Sequence, residues 1–417
     1  MSFQMLARPG HPTFLDLPWE IPLEEWDSEE LVDVVRGISR HVVRFVSRGD
    51  TLYALKELPR RLAEREYELL RALEVESIPV VKAVGVVVDR PAELDAVLIT
   101  RWLDFSLPYR ALFTGRGVPD LRNRILDSLA ELLVRLHLAG FFWGDCSLSN
   151  SLFRRDAGAL TAYLVDAETG ELHPVLTEGQ RNHDLAVAKE NLAGELMDLE
   201  AAGLLPDDID PFETASDICA RYEGLWSELT REDVFGADER YRIDERLRRL
   251  NELGFDIEEL DLMATDGVYR LRLNPRVVEP GHHRRRLLTL TGLDVQENQA
   301  RRLLNDLASF RAYLEQENGR SLPESVVAYR WLAEVFEPAV ARVPADLRGK
   351  RDAAELFHEI LEHRRHLSEA AERDVTLESA TDAYVEEVLA RTPDERTVLV
   401  AASEEHRVLP AERRRPR

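Results

Sequence analysis

The sequence predicts an α+β fold of two lobes, a small antiparallel sheet joined to a mostly helical portion, followed by a further, mostly helical region. Three observations carry this. Residues 30–103 hold short strand-like runs separated by turn signals, with one helical run among them. From residue 120 the apolar period changes from about two to about 3.6. Near residue 206 a Pro- and Asp-rich turn opens a region that is again largely helical.

The elements follow in order. Residues 1–29 are Pro-rich and without period, so an irregular segment is expected there. Leu31–Arg36 reads as a strand, Gly37–Arg40 as a turn and His41–Ser47 as a second strand. Gly49-Asp50 is a hairpin signal, and Thr51–Leu58 is a third strand in which Leu52, Ala54 and Lys56 share a face. Pro59 ends it. Residues 60–75 have helical period, with Leu62, Leu69, Leu70 and Leu73 on one stripe, and Val80–Val88 and Ala96–Thr100 are two more strands.

In the second lobe, expected over 104–205, Leu121, Ile125, Leu129, Leu132 and Leu136 line one helical face. A loop (140–150), a hairpin (151–165) and a helix (about 183–202) follow. A separate helical domain is expected over 206–400. It includes a strand (Val268–Val278) in which arginines alternate with apolar residues, and a disordered tail is expected after it over 401–417.

Composition excludes several classes. The net charge of −24 argues against nucleic acid or an anionic membrane as a global partner. It does not exclude a nucleotide, whose phosphates can be held locally with Mg²⁺. Two cysteines, Cys146 and Cys219, are too few for a disulfide framework and fit a reducing, cytoplasmic setting. No run of about 18 apolar residues is present, so no membrane span is expected.

Glu66 lies on the apolar stripe of its helix, where a carboxylate is costly unless a cation meets it. Lys56 on the preceding strand is such a cation, and a Lys56–Glu66 pair would fix an ammonium over a nucleotide's phosphates. The plainer alternative is that both side chains reach solvent. Asp145 and Asn150 are five apart in the loop before the hairpin. The hairpin starts at about Ser151 and ends at Val165, so antiparallel pairing brings Asn150 and Asp166 together at its open end. Two oxygen ligands there could share a Mg²⁺, and Asp145 beside them could orient a hydroxyl or take its proton.

The order of Lys on the third strand, Glu on the next helix, Asp-x-x-x-x-Asn and then Asp resembles the protein-kinase-like superfamily over about residues 30–200. Ala54-Leu55-Lys56 is similar to the strand of the ATP lysine. Gly144-Asp145, and Arg65-Glu66 in the first helix, are closer to the small-molecule kinases, with lipopolysaccharide (Kdo) kinases and aminoglycoside phosphotransferases as the nearest groups. The whole chain resembles a bacterial family joining a domain of unknown function to a lipopolysaccharide-kinase-like region.

The resemblance implies a bilobal protein-kinase-like fold and a phosphotransferase using ATP and Mg²⁺ on a hydroxyl of a small molecule, sugar or glycolipid. It implies that Lys56, held by Glu66, meets the α- and β-phosphates, that Asp145 is the catalytic base, and that Asn150 and Asp166 ligate Mg²⁺. Thr100-Arg101-Trp102-Leu103 would be the hinge beside the adenine. Gly37 is the one glycine of the phosphate-covering turn, where Ser39 and Arg40 would add phosphate contacts. Two rival readings stay open: a pseudokinase-type scaffold whose C-terminal region binds a partner, and an AMP transferase.

Departures and lesser signals remain. Trp143-Gly144 stands where protein kinases carry His-Arg, which argues against control by a phosphorylated activation loop. In Asp166-Ala167-Glu168, Glu168 reads as solvent-facing, with a metal ligand as the alternative. His137 reads as a packed histidine bonded to the catalytic loop, with a catalytic base as the alternative, and Asp184 as an N-cap or a brace for that loop. His358, Glu362 and His366 share a helical face but miss the zinc-protease spacings. The basic cluster Arg270, Arg272, Arg276, His282, His283, Arg284, Arg285 and Arg286 reads as a solvated face paired with local acids. The alternative there is an anionic ligand or a protein partner.

Overall fold

The computed structural model describes residues 3–27, 31–32, 41–49, 51–114, 120–231, 233–236, 255–257, 260–265, 268–273, 278–318 and 322–392. The predicted Gly37–Arg40 turn, Arg276 and the tail over 401–417 lie outside these residues.

The first lobe is a five-stranded antiparallel sheet in the order β1-β4-β5-β3-β2. Its strands are β1 (Gln4–Ala7), β2 (Val42–Arg48), β3 (Thr51–Leu58), β4 (Lys82–Val88) and β5 (Ala96–Arg101). Helix α1 (Arg60–Val75) follows β3. Pro59 has no N–H for the ladder, and its carbonyl instead accepts the first helical amides, from Leu62 and Ala63. Of the predicted first strand, Leu31 bridges Val46 and the Val32 amide bonds the Phe45 carbonyl.

The N-terminal segment departs from expectation. β1 pairs antiparallel with β4, from Gln4↔Val88 to Ala7↔Gly85. Phe14, Trp19 and Leu23 are then fully buried against Tyr53, Leu55, Val84 and Val97 on the sheet's outer face. The buried guanidinium of Arg90 pins this strap by donating to the carbonyls of Trp19 (3.0 Å) and Ile21 (2.5 Å), and to Glu57. Because the segment buries its aromatics from irregular backbone, it leaves no period to read.

The second lobe holds β6 (Ser106–Leu107), α2 (Tyr109–Thr114), α3 (Leu121–Leu138) and β7 (Phe141–Phe142). The hairpin β8 (Ser151–Asp156) and β9 (Ala159–Leu164), β10 (Glu171–Leu172), α4 (Glu178–Ala201) and α5 (Pro211–Thr230) follow. At Gly140, where α3 ends, φ is +77° and a Cβ would stand 2.1 Å from the His173 carbonyl oxygen, so only glycine fits. α4 begins about five residues earlier than the sequence suggests, because Thr177 and Gln180 form a reciprocal capping box. Pro206–Asp210 does turn the chain, and Asp210 caps α5. α5 then packs back on α3 and α4, so the core that begins at Leu58 runs on through Leu229.

Beyond α5 come β11 (Asp233–Gly236), β12 (Phe255–Ile257), β13 (Leu260–Thr265), β14 (Val268–Leu273) and β15 (Val278–Pro280). The arginine-alternating strand is β14, central between β11 and β13. Helices α6 (His282–Thr291), α7 (Glu297–Asn318), α8 (Glu324–Trp331), α9 (Glu337–Arg342), α10 (Ala353–Ala371) and α11 (Leu377–Glu387) follow, with a π-helical turn at Leu332–Phe336. Their own core centres on Trp331, Phe336 and Phe357. This region grips the tip of the β8–β9 hairpin. Asp156 accepts from the amides of Asn298 (3.1 Å) and Gln299 (2.7 Å) at the start of α7, and Glu355 accepts from the Ala157 amide (2.9 Å).

Candidate active site

β3 alternates as its sequence implies. Tyr53 and Leu55 enter the outer core, and Lys56 takes the opposite face, toward α1. Its ammonium lies 3.0 Å from Glu66 Oε2, 2.8 Å from Asp166 Oδ2 and 3.2 Å from Glu168 Oε2. Glu66 is buried, and burial, followed by the charge of Asp166, raises its carboxyl to about 8 against the pull of Lys56. Burial alone would lower Lys56, but Glu66 and Asp166 outweigh it and raise the ammonium above its ordinary value.

Glu168 does not face solvent. Besides Lys56, it meets His41 Nε2 at 2.9 Å. One ligand oxygen each from Glu66, Asp166 and Glu168 lie within 4.8 Å of one another. With Glu66 holding its proton, the carboxylates of Asp166 and Glu168 around one ammonium leave an excess of one negative charge, which draws a cation.

The hairpin delivers the rest. Ser151 pairs with Leu164, and the Val165 amide bonds the Asn150 carbonyl at 3.0 Å, so Asn150 and Asp166 adjoin at the open end. The Asn150 amide nitrogen donates to the Asp145 carbonyl (3.0 Å) and to Asp145 Oδ2 (3.1 Å). Gly144, at φ +76°, turns the chain into Asp145. Trp143 Nε1 donates to the Asp166 carbonyl at 3.0 Å, tying the two loops together.

Asp184 is a brace. It accepts from the Trp143 amide (2.7 Å), the Gly144 amide (2.8 Å) and His137 Nε2 (3.0 Å), while the N-cap of α4 is Thr177. His137 is fully enclosed between Asp184 and the Tyr222 hydroxyl, so it supports the loop through Asp184 and is no base. Sequence reasoning missed two residues on the same helix. Asn191 donates to Asp145 Oδ1 at 3.0 Å, and Glu195 accepts from the amides of Leu148 (2.6 Å) and Ser149 (2.8 Å). The signal was present, since residues 184, 191 and 195 recur at helical spacing on one face.

Thr100 pairs with Ala54 on β5. Trp102 follows, with its ring edge-on to Phe45 and its amide donating to the Leu52 carbonyl at 2.8 Å. That bond withholds the Trp102 amide from a base in the cleft. Gly37, Ser39 and Arg40 lie outside the described residues.

Other candidates separate from this site. In the basic cluster, His283 pairs with Glu297, Arg284 with Asp294 and Arg286 with Glu324, which supports the solvated-face reading. A cleft of about 560 Å³ lies behind the hinge, where Arg101, Arg135, Arg284 and Arg285 mix with Glu131, Asp294 and Glu297. Lys56, Asp145 and Asp166 do not line it, and its mixed charges select no ligand of one sign. Among the described residues, His358, Glu362 and His366 form no cluster of ligand atoms, and no helix is long and apolar enough to cross a membrane.

A lysine joined to a helical glutamate and a loop aspartate, beside an Asp-x-x-x-x-Asn loop and between a sheet lobe and a helical lobe, defines a protein-kinase-like fold. Residues 46–213 match the lipopolysaccharide kinase (Kdo/WaaP) family, and residues 224–389 match a domain of unknown function, DUF4032. The chain thus carries a lipopolysaccharide-kinase-family domain followed by a DUF4032 region. Over 88 residues it is 38% identical to dual specificity testis-specific protein kinase 1 of Rattus norvegicus, covering 19% of this chain and 14% of that protein. Two solved structures are similar. WaaP in complex with acyl carrier protein has 18% identity and a TM-score of 0.32, over 47% of this chain and 89% of that one. Aminoglycoside-3'-phosphotransferase of type VIII has 17% identity and a TM-score of 0.34, over 48% and 87%.

Proposed function

We propose that this chain is an ATP- and Mg²⁺-dependent phosphotransferase acting on a hydroxyl of a small molecule, sugar or glycolipid. The observation that carries the reading is the triangle of Lys56, Glu66 and Asp166, with contacts of 3.0 and 2.8 Å, beside the Asp145–Asn150 loop.

Lys56 would meet the α- and β-phosphates, and Glu66 would hold its ammonium in place. The oxygens of Asn150, Asp166 and Glu168 are the hard donors that Mg²⁺ takes. When bound, the ion would neutralise charge on the phosphates. Asp145 would orient the attacking hydroxyl and accept its proton. The hydroxyl oxygen forms a bond to the γ-phosphorus, the bond to the β–γ bridging oxygen breaks, and ADP leaves. Thr100 and the carbonyl side of the hinge would border the adenine, since the Trp102 amide is engaged. Gly37, Ser39 and Arg40 would cover the phosphates.

One observation favours a second reading, a nucleotide-binding scaffold. Lys56 is shared with Glu168 as well as with Asp166, so a nucleotide must displace a carboxylate before the ammonium can serve it.

ATP labelled at the γ- or α-position, supplied with Mg²⁺ and a cell extract, separates the readings. Transfer from the γ-position that Asp145→Ala abolishes supports the phosphotransferase. Transfer from the α-position would replace it with AMP transfer. Nucleotide binding without transfer, equal in wild type and Asp145→Ala, leaves the scaffold.

A further inference from the structure

Helix α4 grips the loop that carries Asp145 at three points along one face. Asp184 holds the amides of Trp143 and Gly144, and Glu195 holds those of Leu148 and Ser149. Asn191 lies between them. Ala188, buried on the same face, is small enough to let the loop lie close. Of the three, Asn191 touches the Asp145 carboxylate itself.

Its amide nitrogen has two hydrogens and two acceptors, Asp145 Oδ1 at 3.0 Å and the Cys146 carbonyl at 3.1 Å. The flipped amide would set its oxygen against both acceptors, so the orientation is determined. The other carboxylate oxygen, Oδ2, accepts from Asn150. A donor on each oxygen fixes the plane of the carboxylate. Asn150 must also answer to the cation. Asn191, set on a helix and bonded to loop backbone, does not.

We propose that Asn191 is a positioning residue for Asp145: it fixes the direction of the carboxylate independently of the metal. The inference rests on the phosphotransferase reading above.

The test uses the full chain and measures ADP release from Mg·ATP, with cell extract as acceptor, alongside Mg·ATP binding by calorimetry. Asn191→Leu keeps the volume and removes the donors. Asn191→Asp keeps the shape and sets a second carboxylate against Asp145. Turnover is expected to fall about 10- to 100-fold in both, the loss of a hydrogen bond to a charged group, with Mg·ATP affinity within about twofold of wild type. The fall should lie in kcat and leave the KM for Mg·ATP near the wild-type value, because the lost bond orients Asp145 and does not touch the nucleotide. Wild-type turnover that Asp145→Ala abolishes but both Asn191 variants preserve overturns the inference alone. So does a fall in turnover matched by lost Mg·ATP binding. A wild type that releases no ADP sinks the phosphotransferase reading and this inference with it.

Discussion

The β8–β9 hairpin has a cluster of buried or half-buried carboxylates at each end, and the two are satisfied by opposite means. At the open end, Glu66, Asp166 and Glu168 surround the ammonium of Lys56. At the tip, Asp156 and Glu355 are met by neutral donors: the amides of Ala157, Asn298 and Gln299, the Gln299 side chain and the Thr161 hydroxyl. Burial raises Asp156 to about 6, although the Gln299 and Asn298 amides oppose it. Burial, then the charge of Glu359, raises Glu355 to about 8. The tip is complete as it stands and joins the two regions. The open end still carries more negative charge than its lysine balances, and that imbalance suits a cation and a nucleotide. Buried carboxylates by themselves mark either a joint or a site; what surrounds them decides which.

The largest effect should separate the two ends. Asp166→Asn is expected to cut phosphoryl transfer by about 10²–10³-fold, the scale of losing one preorganised charge contact, while the melting temperature holds or rises as repulsion with Glu66 falls. Activity and unfolding measured on one preparation check this; a large drop in melting temperature would make Asp166 structural.

Asp156→Ala at the tip should do the reverse. It removes the cap of α7 and strands buried amides, costing roughly 2–4 kcal/mol. Urea unfolding and limited proteolysis read the loss, and unchanged resistance would deny the tip its role as the joint.

A pH experiment sharpens the contrast. Glu66 and Glu355 both hold protons in the folded chain that the unfolded chain releases near 4.5. The stability they contribute is therefore full below about 4.5 and is lost as pH rises toward about 8. Mg²⁺ should recover the part due to Glu66 and leave the part due to Glu355, as thermal unfolding from pH 5 to 9 with and without the ion would report. Equal recovery in wild type and Glu66→Gln would place the ion elsewhere.

The smallest effect is at Glu355→Gln, which keeps the acceptor and removes the charge. It should match wild type at pH 5 and melt about 1 °C higher at pH 9, the shift that roughly 1 kcal/mol produces in a chain of this length. A lower melting point at pH 9 would mean that the tip needs the charge.

Much of the open end was legible in the residues. Lys56 falls on the correct face because β3 alternates, and Glu66 shows itself as a carboxylate on an apolar stripe. Asn150 meets Asp166 because hairpin ends pair. Asn191 and Glu195 could have been read from their spacing with Asp184, but nothing local says that a loop about 40 residues earlier lies against that face. Glu168 looked like a surface acid because its partners, His41 and Lys56, come from the other lobe.

The order of the main strands and helices over residues 41–202, their buried faces, and the choice of Lys56, Glu66, Asp145, Asn150 and Asp166 could be read from the residues alone, since periods and hairpin pairing are local consequences of backbone geometry. Only the tertiary structure decided that the Pro-rich N-terminus closes the outer face of the sheet, that α4 clamps the Asp145 loop, and that the hairpin tip docks into α7 and α10. Those contacts join residues between roughly 40 and 200 positions apart, through irregular backbone and single polar groups, and such contacts leave no period in the chain.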